Sequence, residues 1–197
     1  MEISPIRWFW EMKSKRWLNP WVVGTAATFV VLILFVLSVN VCLLAVGFRA
    51  FTIASGAMAP TLQSGDRILV DTRAYMVKPP ERGDVVAFVR PDVGNYIFVK
   101  RVVAVGGDVI EGAGGVVKLN GAILQEPYVA PIDLSNDSPI DFGPVTVPSG
   151  AFFLIGDARQ NSNDSRYFGC VNLKQIRGRV AYIYWSKDSS KDWTRVR

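Results

Sequence analysis

Ser55-Gly56-Ala57-Met58-Ala59-Pro60-Thr61-Leu62 is the stretch around which this chain is organised. Its residues are small, sharply punctuated and partly apolar. That composition suits a segment against which another backbone must lie closely. It begins a few residues beyond a long apolar run, so a membrane would hold it near its surface.

From Trp21 to Phe48 no side chain is charged. A helix over those residues would be ~42 Å long, against a hydrocarbon core of about 30 Å. A cleaved signal sequence usually has an apolar region of only ~7–15 residues and a small-residue cleavage site. The length therefore predicts a retained transmembrane helix over 21–48. Residues 1–20 carry Arg7, Lys13, Lys15 and Arg16, and Trp8, Phe9, Trp10, Trp17 and Trp21 crowd the approach to the apolar run. Such rings favour the headgroup layer, and the cation excess places the N-terminus in the cytoplasm. The rest of the chain is then exported.

Beyond Arg49, short β-prone runs alternate with turn signals. Strands are expected at 67–70, 84–89, 96–105, 116–119, 145–147, 151–155 and 180–185, and Asn120-Gly121 is a hairpin turn. The fold class is mainly β: one transmembrane helix, then an all-β domain over 49–186 with few helices. Residues 127–144, with four prolines, read as an extended surface loop. The polar tail, 187–197, is expected to fray.

The 197 residues hold one sizeable domain plus an anchor. The net charge is +5, but the cations are scattered among acids without a basic run, which argues against nucleic-acid binding. Cys42 falls in the apolar run and Cys170 near the domain's far end, so no internal disulfide is expected. There is no histidine. That removes every Ser-His-Asp, Cys-His and His-metal arrangement, so a base working near neutral pH must be a carboxylate or a lysine of lowered pKa. No metal or cofactor is expected.

Lys100 lies in an apolar strand between Val99 and Val102-Val103. Burial would lower its pKa and let it accept a hydroxyl proton. Periodicity alone favours the other reading, an amine pointing to solvent from a half-exposed strand. The segment 156–169 is rich in Gly, Ser, Asn and Asp. It suits a tightly ordered turn, or equally a surface loop with an Asp164–Arg166 ion pair.

Four motifs stand in order behind the anchor: Ser55 to Leu62 with Gly65-Asp66; Gly83-Asp84-Val85-Val86; Val99-Lys100-Arg101-Val102-Val103 leading to Gly107-Asp108; and Gly156-Asp157 through Ser162, Asp164-Ser165-Arg166-Tyr167 and Gly169. Together they resemble the bacterial type I signal peptidase family, over the anchor and essentially all of 49–186. The resemblance implies a membrane-bound serine endopeptidase with a Ser/Lys dyad, cutting signal peptides from exported preproteins after small residues, usually Ala-X-Ala. The implied partners are preprotein signal peptides and the lipid bilayer, with the export translocon nearby. By motif match Lys100 is the general base, and Ser55 with the backbone N–H of residue 57 forms the oxyanion hole. Ser162 orients the lysine amine. Arg101, Asp164 and Arg166 form a supporting ionic network. Ile53, Met58, Leu62, Phe98 and Val99 would line shallow pockets beside a substrate added as an extended strand.

The departures from the family pattern are Ala54, Gly106-Gly107, Ala158, Gln160, Phe168 and, above all, Ala57, which stands at the nucleophile position without a hydroxyl. Three explanations stand open. Ala57 is an engineered Ser→Ala change that traps substrate; or it is natural, leaving a silent relative that binds signal peptides; or Ser55 attacks instead. A specialised peptidase of the same fold, such as one maturing a conjugative pilus subunit, would share the dyad. Related repressor-type autoproteases carry a DNA-binding domain where this chain has its anchor, which disfavours them.

Overall fold

A computed structural model describes residues 20–45, 47–130 and 141–196. The chain divides into two compact units, 1–45 and 46–197. The expected aromatic belt and the four cations before residue 20 lie outside the described residues, as does 131–140 of the proline-rich segment.

The first unit holds helix α1, Pro20–Ala45. Proline at its first position costs no hydrogen bond, because that N–H has no partner inside a helix. Trp21–Cys42 has a mean hydropathy of 2.7, long and apolar enough to cross a membrane. Its few polar side chains are satisfied within the helix. Thr25 donates to the Val22 carbonyl (3.1 Å), Thr28 to Gly24 (2.9 Å), Ser38 to Phe35 (2.7 Å) and Asn40 to Val36 (2.8 Å). The helix thus satisfies the three hydroxyl donors and one amide donor of Asn40 within itself. It ends three residues before the predicted boundary at 48, and Phe48 already belongs to a strand.

The second unit is mainly β, as predicted. Its strands are β1 (Phe48–Thr52), β2 (Arg67–Asp71), β3 (Val85–Val89), β4 (Ile97–Val105), β5 (Val109–Ala113), β6 (Val116–Leu119), β7 (Ala122–Ile123), β8 (Phe142–Thr146), β9 (Ala151–Ile155), β10 (Val171–Asn172), β11 (Ile176–Trp185) and β12 (Thr194–Arg195). A one-turn helix, α2 (Ser165–Phe168), follows β9. The larger sheet has the order β1-β2-β11-β3-β4-β9-β10, with β12 added to β11; the smaller runs β7-β6-β5-β8. Asn120 and Gly121 both have positive φ (52° and 81°) and turn β6 into β7, as the dipeptide predicts.

Alternation along the strands builds the core on both faces. Val85 and Ala87 of β3 join Ile53, Met58, Leu62, Ile68, Val70 and Val180. Val86 and Phe88, pointing the other way, join Val102, Phe152 and Leu154. Phe153 and Ile155 of β9 pack with Ile110 and Val117 of the smaller sheet. This two-sided burial explains why β3 and β9 read as unbroken apolar runs.

The tail does not fray. Ser186 donates to the buried Asp66 carboxylate (2.6 Å), Thr194 and Arg195 pair with β11, and Val196 packs against the core. Both cysteines are free.

Candidate active site

Every pairing from β1 through β2, β11 and β3 to β4 is antiparallel. Four reversals leave β1 and β4 pointing the same way. β1 ends the sheet, so among the described residues its outer edge has no partner strand. β4 pairs with β3 from Ile97 to Arg101 but with β9 only from Arg101 onward. The edge of Ile97–Lys100 away from β3 is therefore also open. Between these two edges lies a cavity of about 460 Å³. Ile53, Ser55, Ala57 and Met58 line one side; Phe98, Val99 and Lys100 line the other.

Lys100 is 5% exposed, which overturns the solvent-facing reading that periodicity favoured. It sits where β4 is covered by β3 and by the 156–166 loop, and no strand pattern reports that cover. Burial pushes its amine below the ordinary lysine range. The Asp164 carboxylate opposes that shift, Arg166 reinforces it, and Asp157 opposes it. The amine makes no hydrogen bond among the described residues. The Ala57 N–H and the Ser55 hydroxyl likewise have no partner there, and Ser55 is exposed.

Gly156 explains how the loop after β9 meets the stretch before Met58. A Cβ built on it would lie 2.5 Å from the Ala57 carbonyl oxygen and 2.6 Å from Ser162 Cβ. Only glycine allows that approach. The Ala158 N–H also donates to the Ala57 carbonyl (3.2 Å). Ser162 is therefore held against residue 57, and its Oγ is buried without a hydrogen-bond partner. Such an orphan acceptor costs free energy unless something donates to it. Gly156→Ala is expected to push these segments apart. In an Ala57→Ser background, cleavage should fall by on the order of 10²-fold or more. Unchanged cleavage kinetics would show that the close approach is dispensable.

An ionic network lies under the site. Arg101 is fully buried and donates to both oxygens of the equally buried Asp157 (2.8 and 2.6 Å). It also donates to the Gly83 carbonyl (2.8 Å), and its guanidinium stacks 4.0 Å from the Tyr128 ring centre. Thr61 donates to Asp157 (2.5 Å), tying the Ser55–Leu62 stretch to the network. Asp164 accepts from the Gly156 N–H (3.0 Å) and from Arg166 (2.8 Å). Arg159 pairs with Glu126. The anticipated loop ion pair between Asp164 and Arg166 exists, but it is buried.

Known proteins carry the same sequence pattern. A profile of the family described as "Signal peptidase, peptidase S26" matches residues 23–185. The chain belongs to the signal peptidase family. It is similar to a signal peptidase I of Bacillus caldolyticus, 33% identical over 184 residues that cover 89% of this chain and 92% of that protein. It is also similar to one of Leptolyngbya laminosa, 36% identical over 157 residues, covering 72% and 73%. A solved signal peptidase I of Enterococcus faecalis superposes with a TM-score of 0.47 at 30% identity, over 53% of this chain and 99% of that one.

Of the residues expected at a signal peptidase site, Ser55, Ala57 and Lys100 share the cavity with Ile53, Met58, Phe98 and Val99. Leu62 does not line it; it is wholly buried in the core behind Ile53 and Met58. Ser162 is not a lining residue either, but it abuts Gly156 beside residue 57. Arg101 pairs with Asp157, and Arg166 with Asp164. Four contributors went unassigned: Asp157, Thr61, Gly156 and Tyr128. Asp157, Gly156 and Thr61 all lie in the sequence motifs, which mark their positions but not their contacts. Nothing local marks Tyr128.

Proposed function

We propose that this chain is a membrane-anchored Ser/Lys endopeptidase framework for signal peptides ending in Ala-X-Ala. With Ala57 it holds the peptide; with serine at 57 it cuts. The observation that carries this reading is that buried Lys100 and Ala57 line one cavity of about 460 Å³ between β1 and β4. A peptide entering as a strand would run between β1 and β4, with its side chains alternating into the cavity. The apolar walls beside Ile53, Met58 and Val99 suit alanine. The bilayer places α1 across the membrane, and the flanking cations put residue 1 on the cytoplasmic side.

With serine at 57, its hydroxyl oxygen attacks the scissile carbonyl carbon while its proton passes to neutral Lys100. The oxyanion takes hydrogen bonds from the residue 57 N–H and the Ser55 hydroxyl. Collapse breaks the C–N bond, and the lysine proton leaves with the amine. Water then attacks the acyl-enzyme, with Lys100 again the base, and frees the serine hydroxyl. The orphaned Ser162 Oγ is suited to accept from the amine and aim it.

As the sequence stands, Ala57 supplies a backbone donor but no nucleophile. That favours a second reading, a signal-peptide binder without turnover.

The test is the pH dependence of kcat/KM for the Ala57→Ser variant in micelles. Only the neutral amine can act as base, so the rate should rise with pH through a pKa below the ordinary 10.5, then level off. Lys100→Arg should be inactive at every pH. A rise centred at the ordinary lysine value, or activity surviving Lys100→Arg, would sink Lys100 as the base.

A further inference from the structure

A second cavity, of about 470 Å³, opens beside the first, and Phe51 and Ile97 line both. Its walls are mixed, with Val70, Val89, Thr72 and Asn95 beside those two residues, and Arg49 and Arg177 also line it. Both arginines are exposed, and neither has an ion pair or side-chain hydrogen bond among the described residues. No carboxylate is among the residues that line it, and nearby Asp92 pairs with Arg90. Among the described residues the cavity is thus a cation-rimmed extension of the peptide cleft with no acidic lining residue.

We infer that this cavity is an upstream subsite that selects an acidic side chain, glutamate above aspartate, in the peptide ahead of its cleavage site. The inference rests on the function proposed above, which sets the direction. The residues offered to alanine side chains, Ile53, Phe98 and Val99, extend from Lys100 toward Phe51 and Ile97. The part of the peptide before the cleaved bond therefore lies on that side and runs parallel to β1 and β4. Asn95, which lines the second cavity, is five residues before Lys100. At ~3.4 Å per residue, an extended peptide reaches it about five to seven residues before the cleaved bond. Glutamate fits the mixed lining: its methylenes meet Phe51 and Ile97, and its carboxylate meets the guanidinium groups, which suit planar anions.

The test uses the full chain with Ala57→Ser in neutral detergent micelles. Three synthetic precursors differ only in carrying Glu, Gln or Lys six residues before an Ala-X-Ala cut. The Glu precursor should be cut with kcat/KM on the order of tenfold above the Lys precursor, with Gln between, because two partly exposed ion pairs replace two repulsions. The difference should shrink at high salt. Arg49→Gln with Arg177→Gln should erase the ranking while leaving cleavage of the Gln precursor unchanged. If no precursor is cut, the proposed function itself fails. If all three are cut equally, the subsite is overturned. It is also overturned if the arginine changes matter equally for all precursors and only when anionic lipid vesicles replace micelles, since the cavity then serves a lipid headgroup.

Discussion

Ala57→Ser is expected to convert the chain from one that binds an Ala-X-Ala precursor into one that cleaves it. On the proposed function, restoring the nucleophilic serine can matter by on the order of 10⁶ in rate. Lys100 is buried with its amine unengaged, the residue 57 N–H and the Ser55 hydroxyl are free among the described residues, and Gly156 brings Ser162 against residue 57. A serine side chain adds one oxygen to a methyl group that already lines the cavity. No repacking is needed.

The competing nucleophile is Ser55, which lines the same cavity. Ser55 and Gly56 form a bend that leads into a turn at Ala57, so the two hydroxyl positions are not equivalent. A base must come within ~3 Å of the proton it takes. On the proposed function, Ser55 donates to an oxyanion formed at residue 57 and does not attack. Precursor processing in micelles, followed by gel shift, separates the cases. Cleavage by the variant alone assigns the missing chemistry to one hydroxyl. Cleavage by the parent chain that vanishes with Ser55→Ala would overturn this assignment and make Ser55 the catalyst.

The limits of the sequence show at Lys100. Its neighbours mark a strand, and the strand is there. Whether its amine meets water depends on the 156–166 loop, which arrives from fifty residues away and leaves no mark on local periodicity. The strand β5 was missed because Glu111 and Gly112 break an apolar run, yet it forms the centre of the smaller sheet. β1 was hidden in the end of the anchor's apolar run, since Phe48 suits either. The tail was misjudged because its hold on the domain comes from tertiary contacts, Thr194 and Arg195 against β11 and Val196 against the core, which composition does not report. The Asn120-Gly121 turn was legible because its positive φ angles are a property of those two residues alone. The site residues were legible through motif order, which names positions but not contacts. Leu62 was accordingly assigned to a pocket wall when it belongs to the core.

Arg101→Met should destabilise the β domain by about 3–5 kcal/mol, because it strands the Asp157 carboxylate in a site where both partners are 1% exposed. For a domain of this size that corresponds to a melting shift of roughly 10 °C, read by tryptophan fluorescence of the full chain in micelles. Removing both charges, Arg101→Met with Asp157→Leu, should recover much of the loss, since the desolvation cost then disappears with the pair. The double change still forfeits the bonds to the Gly83 carbonyl and from Thr61. Those bonds connect β4 to the loop before β3 and to the stretch that carries residue 57. In an Ala57→Ser background, the double variant is thus expected to fold yet cleave poorly, with kcat falling more than KM rises. That split would make Arg101 and Asp157 positioning residues: they hold Lys100, one residue away, in register with residue 57. A double variant that melts normally and cuts normally would show that the site keeps its geometry without the pair. A single variant that melts within about 1 kcal/mol of the parent would show that Asp157 finds another partner or a proton, and that the buried pair is not what fixes the loop.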